Sequence, residues 1–160
     1  MRRRKATRDE IERLYRDQFP KFVRVAESIV GSRERALDAV QDGFANALRA
    51  SDAFRGDGPL EAWVWRCVVN AARLAARAQP EVLSDVEHTA PARLPLVEIS
   101  PLLSSLPERQ RTAVFLRYYV GLDYRAIGEA MEIEVGTVSA TLASAHAALR
   151  KRLKEAEARA

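Results

Sequence analysis

Residues 106–153, LPERQRTAVFLRYYVGLDYRAIGEAMEIEVGTVSATLASAHAALRKRL, hold three helices in tandem whose spacing sets the fold. The first is expected to follow Leu106-Pro107, with proline at the first helical position, where its missing N–H costs nothing. It carries Val114, Leu116 and Tyr118 inward and stops at Gly121, the residue type that best tolerates a left-handed cap. The second is short: Asp123 caps it, Ile127 and Ala130 face inward, and it ends near Met131. A tight turn through Glu132 and Ile133 leads into a long third helix. There Val135, Val138, Leu142, Ala145, Leu149 and Leu153 fall within about 80° of arc at 100° per residue, a single apolar stripe. A short helix, a turn and a longer helix with one buried face is the arrangement that sets a recognition helix in a major groove. Spacing alone equally permits a three-helix core that touches no DNA.

The chain of 160 residues has room for one ordinary domain or two small ones. Its single cysteine, Cys67, excludes an internal disulfide framework. No apolar run approaches the ~20 residues that span a bilayer. The basic start Met1-Arg2-Arg3-Arg4-Lys5 runs straight into Asp9, Glu10 and Glu12, with no apolar signal core. A cytoplasmic protein is the expectation. Net charge is +4, unevenly spread. Residues 1–80 carry 16 Lys/Arg against 11 Asp/Glu, residues 81–100 one against four, and residues 101–160 nine against seven. Two basic halves therefore flank an acidic connector, a weak pointer to nucleic acid.

The basic arm at the start reads as mobile. Thr7 with Glu10 makes a capping box that opens the first helix, with Leu14, Phe19, Phe22 and Val23 on its apolar side and Pro20 expected to break it. Ile29-Val30-Gly31-Ser32 is a helix end followed at once by the next cap. The helix from Arg33 to Ala50 buries Leu37, Val40, Phe44, Ala47 and Leu48, leaving Asp38, Gln41, Asp42 and Arg49 for its other sides. Gly56, Asp57, Gly58 and Pro59 mark a loop, and Gly58-Pro59 opens a helix that reaches Ala78. That helix is apolar almost all round, and its two tryptophans, Trp63 and Trp65, read as core. Arg66, Asn70, Arg73 and Arg77 share about 60° of arc on it, a basic stripe suited to a phosphate backbone. Residues 80–100 lose all periodicity, gain Pro80, Pro91 and Pro95, and read as a flexible linker.

Leu106-Pro107-Glu108-Arg109-Gln110-Arg111, Leu116-Arg117-Tyr118-Tyr119, Gly121-Leu122-Asp123-Tyr124 and Val135-Gly136-Thr137-Val138 closely resemble the promoter-binding C-terminal domain of bacterial RNA polymerase sigma factors. The likeness is to the two-domain, extracytoplasmic-function type, and it extends from Leu14 to Leu153. Asp38-Ala39-Val40-Gln41-Asp42-Gly43-Phe44 is similar to the segment that docks on the clamp helices of the polymerase β′ subunit. The resemblance implies an all-α protein in three parts. Residues 1–79 would dock on core polymerase and melt the minus-ten element, 80–100 would link, and 101–160 would form the helix-turn-helix. It further implies core polymerase (β′ clamp helices and β flap) and promoter DNA as partners, with an anti-sigma factor as a further one, and neither cofactor nor metal.

The residues so implied are Asp38, Gln41, Asp42 and Phe44 for polymerase, and Arg66, Asn70, Arg73 and Arg77 for the minus-ten region. For the minus-thirty-five region they are Arg111, Arg117, Arg125, Thr137, Ser139, Ala140, Thr141, Ser144, Arg150 and Lys151. Four departures from the family pattern stand out. Arg73 replaces a frequent aspartate, the recognition helix has no cation before Arg150, Glu132 replaces the usual turn glycine, and Glu134 stands where a serine-like cap is typical. Small side chains in that helix cannot supply bidentate guanine contacts, each worth about 1–3 kcal/mol of discrimination, so weak minus-thirty-five reading is expected. Two other readings stay open on sequence: a stand-alone helix-turn-helix regulator, and a sigma-like protein acting mainly through protein partners. An enzyme is not expected, since His88, His146 and Cys67 have no neighbours at metal-ligand or catalytic spacing. Gly56 and Gly58 belong to no phosphate-binding loop.

Overall fold

A computed structural model of the chain describes residues 4–79 and 101–160, and every regular element among them is helical. Helix α1 spans Arg8–Val30. The Thr7 hydroxyl accepts the Glu10 N–H and the Glu10 carboxylate accepts the Thr7 N–H, closing the expected capping box. Arg4 and Lys5 of the arm are held, by ion pairs to Glu10 at 2.6 Å and to Asp52 at 3.0 Å. Pro20 lies inside α1 and does not break it. Its missing hydrogen bond and ring clash cost about 3 kcal/mol. Phe22, Val23, Val25 and Ile29 are all buried beyond it, and at about 1.5–3 kcal/mol for each large side chain their burial outweighs that cost.

Gly31, in the left-handed region at φ 83°, ends α1, and the Ser32 hydroxyl caps α2, Arg33–Arg49. A 3-10 turn at Ser51–Ala53 and a short loop lead to α3, Leu60–Ala78. These three helices close on an aromatic cluster. Phe22 stacks on Trp65 at 4.0 Å, and Phe44 meets both Phe22 and Tyr15 edge-on at 4.9 Å. Trp63 packs on Phe54, so both tryptophans are core as expected. A Cβ on Gly43 would lie 2.7 Å from the Val68 Cα, which is how α2 and α3 approach so closely.

The second half begins with a helical turn at 101–104. Helix α4, Glu108–Val114, runs into a π-helical turn at Phe115–Val120, followed by α5, Tyr124–Met131, and α6, Val135–Ala158. Pro107 is the cap of α4, one position outside the helix. The π turn corrects one expectation. With i→i+5 bonding the helix face shifts by a residue, so Tyr118 points out, 62% exposed, and bonds His146 Nε2 at 2.8 Å. Gly121 then ends the segment at φ 87°. On α6 the centre of the apolar stripe (Val138, Leu142, Ala145) is buried, whereas Val135 and Leu153 at its ends are exposed.

The α5–α6 turn follows the expected chain path. Asp123 Oδ1 accepts the Ala126 N–H at 2.8 Å. Glu132 occupies the left-handed region at φ 56°, ψ 44°, and the Ile133 N–H reaches back to the Gly128 carbonyl at 2.9 Å. A Cβ at Gly128 would come within 2.8 Å of the Ile133 carbonyl oxygen. Glycine is therefore required before this turn, while a glutamate bears the strain inside it.

Helix α3 packs against α5, and α1 packs against α4 and the π turn, so buried side chains of the two halves form one continuous core. Arg24 of α1 lies over the Phe115 ring at 5.0 Å. The expected linker, 80–100, and Met1 to Arg3 lie outside the described residues. No helix among the described residues is long and apolar enough to cross a membrane.

Candidate nucleic-acid interface

On α2 the steps of three and one between Asp38, Gln41 and Asp42 place all three on one side of the helix, and all three are exposed. Phe44, about 60° round the helix from Gln41, is turned inward and buried. It belongs to the wall of an apolar groove between α1 and α2, together with Ile11, Tyr15 and Leu48, and Gln41 stands at the same groove. A rigid helix thus offers two carboxylates and an amide beside an apolar trough. Such a surface suits a partner helix that carries cations and some apolar area.

Helix α3 brings the four members of the basic stripe together. Asn70 and Arg77 are exposed, whereas Arg66 and Arg73 are half-buried. Arg73 Nε pairs with Glu108 Oε1 of α4 at 3.2 Å. Arg66 lines a cleft shared with Arg109, Arg125, Glu129, Glu132 and Glu134 of the second half. The glycine loop before α3 is covered too: the Glu129 carboxylate lies against Gly58, 2.7 Å from where a Cβ would be. Beside Arg66, burial pushes the Cys67 thiol up from its ordinary value, and the Glu132 carboxylate adds to that. This cysteine is protonated and a poor nucleophile at neutral pH.

The residues assigned to the minus-thirty-five region do not form one surface. Arg111 is buried at 7% exposure. Its Nε donates to the Ser28 carbonyl at 2.9 Å, and its Nη1 donates to the carbonyls of Leu106 at 2.9 Å and Ser104 at 3.4 Å. Burial pushes its pKa down. In this arrangement its guanidinium joins α1 to α4 and does not face a phosphate. Arg117 donates to the Leu122 carbonyl at 3.1 Å and lies over the Tyr124 ring at 5.2 Å. Thr141 is buried, its hydroxyl donating to the Thr137 carbonyl at 2.7 Å, so it presents no hydroxyl to a base. Ser139, Ala140 and Ser144 are exposed on α6, Arg150 and Lys151 are exposed further along it, and Arg125 is exposed on α5. Thr137 lines the cleft that holds Arg66. Helix α6 starts on Glu134 with no side-chain cap bond.

Sequence reasoning missed Glu108, Glu129 and Ser28, which join the halves. One signal was present: Arg111 is followed by Thr112-Ala113-Val114-Phe115-Leu116, all buried, and an arginine carried into a core with such a run has to find its partners there.

Family models for Sigma-70 region 2 and Sigma-70 region 4 match residues 14–80 and 96–149. The ECF RNA polymerase sigma-E factor of Escherichia coli strain K12 is 34% identical, over 70% of each chain. The RNA polymerase sigma-H factor of Pseudomonas aeruginosa is 32% identical, over 78% of this chain and 76% of that one. Among solved structures, the fold is similar to the sigma factor RpoE of Bartonella quintana in complex with the anti-sigma factor NepR. That match has a TM-score of 0.74 at 23% identity and covers 91% of this chain and 98% of that one. CnrH in complex with the cytosolic domain of CnrY matches with a TM-score of 0.71 at 24% identity, covering 94% and 91%.

Proposed function

This chain belongs to the extracytoplasmic-function type of the sigma-70 family; it is a transcription initiation factor that binds core RNA polymerase and promoter DNA, and we propose how its parts divide that work. Residues 1–79 dock on the polymerase and open the minus-ten element, 80–100 link, and 101–160 carry the helix-turn-helix that anchors upstream. Asp38, Gln41 and Asp42 make the polar contacts to the β′ clamp helices. Phe44 supports that face from beneath and does not itself reach the partner, being buried against Tyr15 and Phe22. Arg66, Asn70, Arg73 and Arg77 track the melted strand, where stacking and backbone charge matter more than groove reading. The second half adds a contact to the β flap and binds duplex DNA through the exposed Ser139, Ala140 and Ser144, with Arg125, Arg150 and Lys151 on phosphates. It carries out no covalent chemistry and works in the cytoplasm, where the polymerase is. Both solved neighbours are complexes, one with an anti-sigma factor, and a protein of that kind is proposed as a partner here too.

The single observation behind this reading is that one bundle of three helices offers an acidic docking face on α2 and a basic stripe on α3. Arg66→Ala with Arg73→Ala tests it. Open-complex formation, followed by permanganate reactivity of unpaired thymines, should fall at least tenfold while affinity for core polymerase changes less than twofold. Normal opening would show that the stripe is a solvated helix face and nothing more.

A further inference from the structure

The basic arm before α1 has no part in the division of work given above, yet it is built into the fold. Ala6 is buried at 7% exposure, and the capping box fixes Thr7 behind it. Arg4 lies on the loop that leads into α3: a Cβ on Gly56, at φ 75°, would sit 3.1 Å from the Arg4 Cβ. Lys5 Nζ reaches Asp52, near the start of that loop, at 3.0 Å. A solubilising tail needs neither a buried alanine nor a left-handed glycine to seat it. The loop in turn borders the α3 stripe. Pro59 is the cap of α3, and the Glu129 carboxylate that lies against Gly58 also lines the cleft of Arg66. By itself the loop has the wrong charge for a neighbour of nucleic acid. Residues 51–61 hold Arg55 against Asp52, Asp57 and Glu61, whereas the arm brings Arg2, Arg3, Arg4 and Lys5. With the arm in place this end of the bundle changes from anionic to cationic.

We propose that the arm is a working part of the promoter-strand site: Arg4 and Lys5, strapped across the 51–59 loop, exchange their carboxylate partners for backbone phosphates of the melted minus-ten strand. This role presupposes that α3 tracks that strand. Little opposes the exchange. The side chains of Arg4 and Lys5 are 69% and 68% exposed, and ion pairs so open to solvent contribute little stability. Arg4 binds Glu10 Oε1, whereas the bonds from Thr7 fall on Oε2, so Arg4 can leave without opening the cap of α1. A phosphate contact on a single strand, by contrast, releases counterions and adds about 0.7 to the slope of log affinity against log salt. The same two cations offset the loop's negative charge where the strand crosses it.

Holoenzyme, the full chain assembled on core polymerase, is bound to a promoter duplex already unpaired across the minus-ten element. Arg4→Gln with Lys5→Gln should weaken binding about tenfold at about 0.1 M salt and reduce the salt slope by about 1.4, the value for two single-strand contacts. Affinity for core should change less than twofold. Arg4→Lys with Lys5→Arg keeps both charges and should keep the slope. An unchanged slope in the glutamine variant overturns the proposal, and a lower unfolding midpoint beside it would identify the arm as a brace for the loop alone. A slope lost equally in the charge-keeping variant overturns it as well. In a second measurement, Lys5→Cys in a Cys67→Ser chain carries a photoactivated cross-linker and should label the minus-ten strand in the open complex. Absence of label in holoenzyme that opens the promoter normally overturns the contact. Arg66→Ala with Arg73→Ala in the same binding assay separates the two assignments. Normal binding by that variant would remove the stripe from the strand, while slope and label still decide the arm.

Discussion

Arg111→Met separates two roles that one arginine cannot play at once. Its place in the helix-turn-helix motif assigns it to a phosphate, whereas the fold buries it and turns its donors onto carbonyl oxygens of α1 and of the segment before α4. Methionine keeps much of the apolar stem and removes every donor. A hydrogen bond from a charged donor contributes about 1.5–3 kcal/mol, so the two 2.9 Å bonds to Ser28 and Leu106 set a ceiling near 6 kcal/mol by that measure. The 3.4 Å contact to Ser104 adds little. Desolvation of the guanidinium, visible in its lowered pKa, offsets part of this. A net loss of about 3 kcal/mol is expected, which at about 2–4 °C per kcal/mol for a chain of this size lowers Tm by roughly 6–12 °C. Urea unfolding followed by circular dichroism reads it directly, as a lower midpoint at unchanged slope. An unchanged midpoint, with DNA affinity reduced and its salt slope smaller by about one, would show that Arg111 faces phosphate after all and refute the buried-latch reasoning.

Three further outcomes are expected. Asp38→Arg with Asp42→Arg should abolish co-elution with core polymerase while leaving helicity intact, because both carboxylates are exposed and neither is needed by the core; unchanged co-elution would remove them from the docking face. Glu132→Gly should stabilise the chain by about 1 kcal/mol through relief of left-handed strain at φ 56°, and a lower unfolding midpoint would contradict it. The Glu10 carboxyl, held down at about 2 by the Thr7 backbone N–H first and by Arg4 next, contributes stability that is present above the ordinary carboxylate range and lost as pH falls toward 2. Thr7→Ala, which removes the hydroxyl bond to this carboxylate and keeps the backbone N–H, should move its NMR titration partway upward, and no movement would mean that the Thr7 hydroxyl does not hold Glu10.

Most of the helices were legible in the sequence because caps and periodicity are local. Thr7, Ser32 and Asp123 mark helix starts, and Gly31 and Gly121 mark stops, each by chemistry confined to a few residues. Pro20 misled because a helix penalty is local while the burial that overrides it comes from α2 and α3. Tyr118 misled because a π turn changes the period that the inward assignment relied on. The exposed docking triad on α2 could be read from spacing. The fate of Arg111, Arg73 and Thr141 could not, since their partners are Ser28, Glu108 and the backbone of Thr137. Two of those pairs come from the packing of one half on the other, which no periodicity encodes, and the third from a hydroxyl that folded back onto its own helix.

The account comes down to whether this chain gives core polymerase a promoter. Purified full-length chain, core enzyme and promoter-bearing DNA, with transcript 5′ ends mapped, measure that directly. The expected result is defined start sites that need both chain and core and disappear with Asp38→Arg and Asp42→Arg together. Failure to associate with core under any condition, or retardation of duplex DNA by the chain alone with no dependence on core, would contradict it.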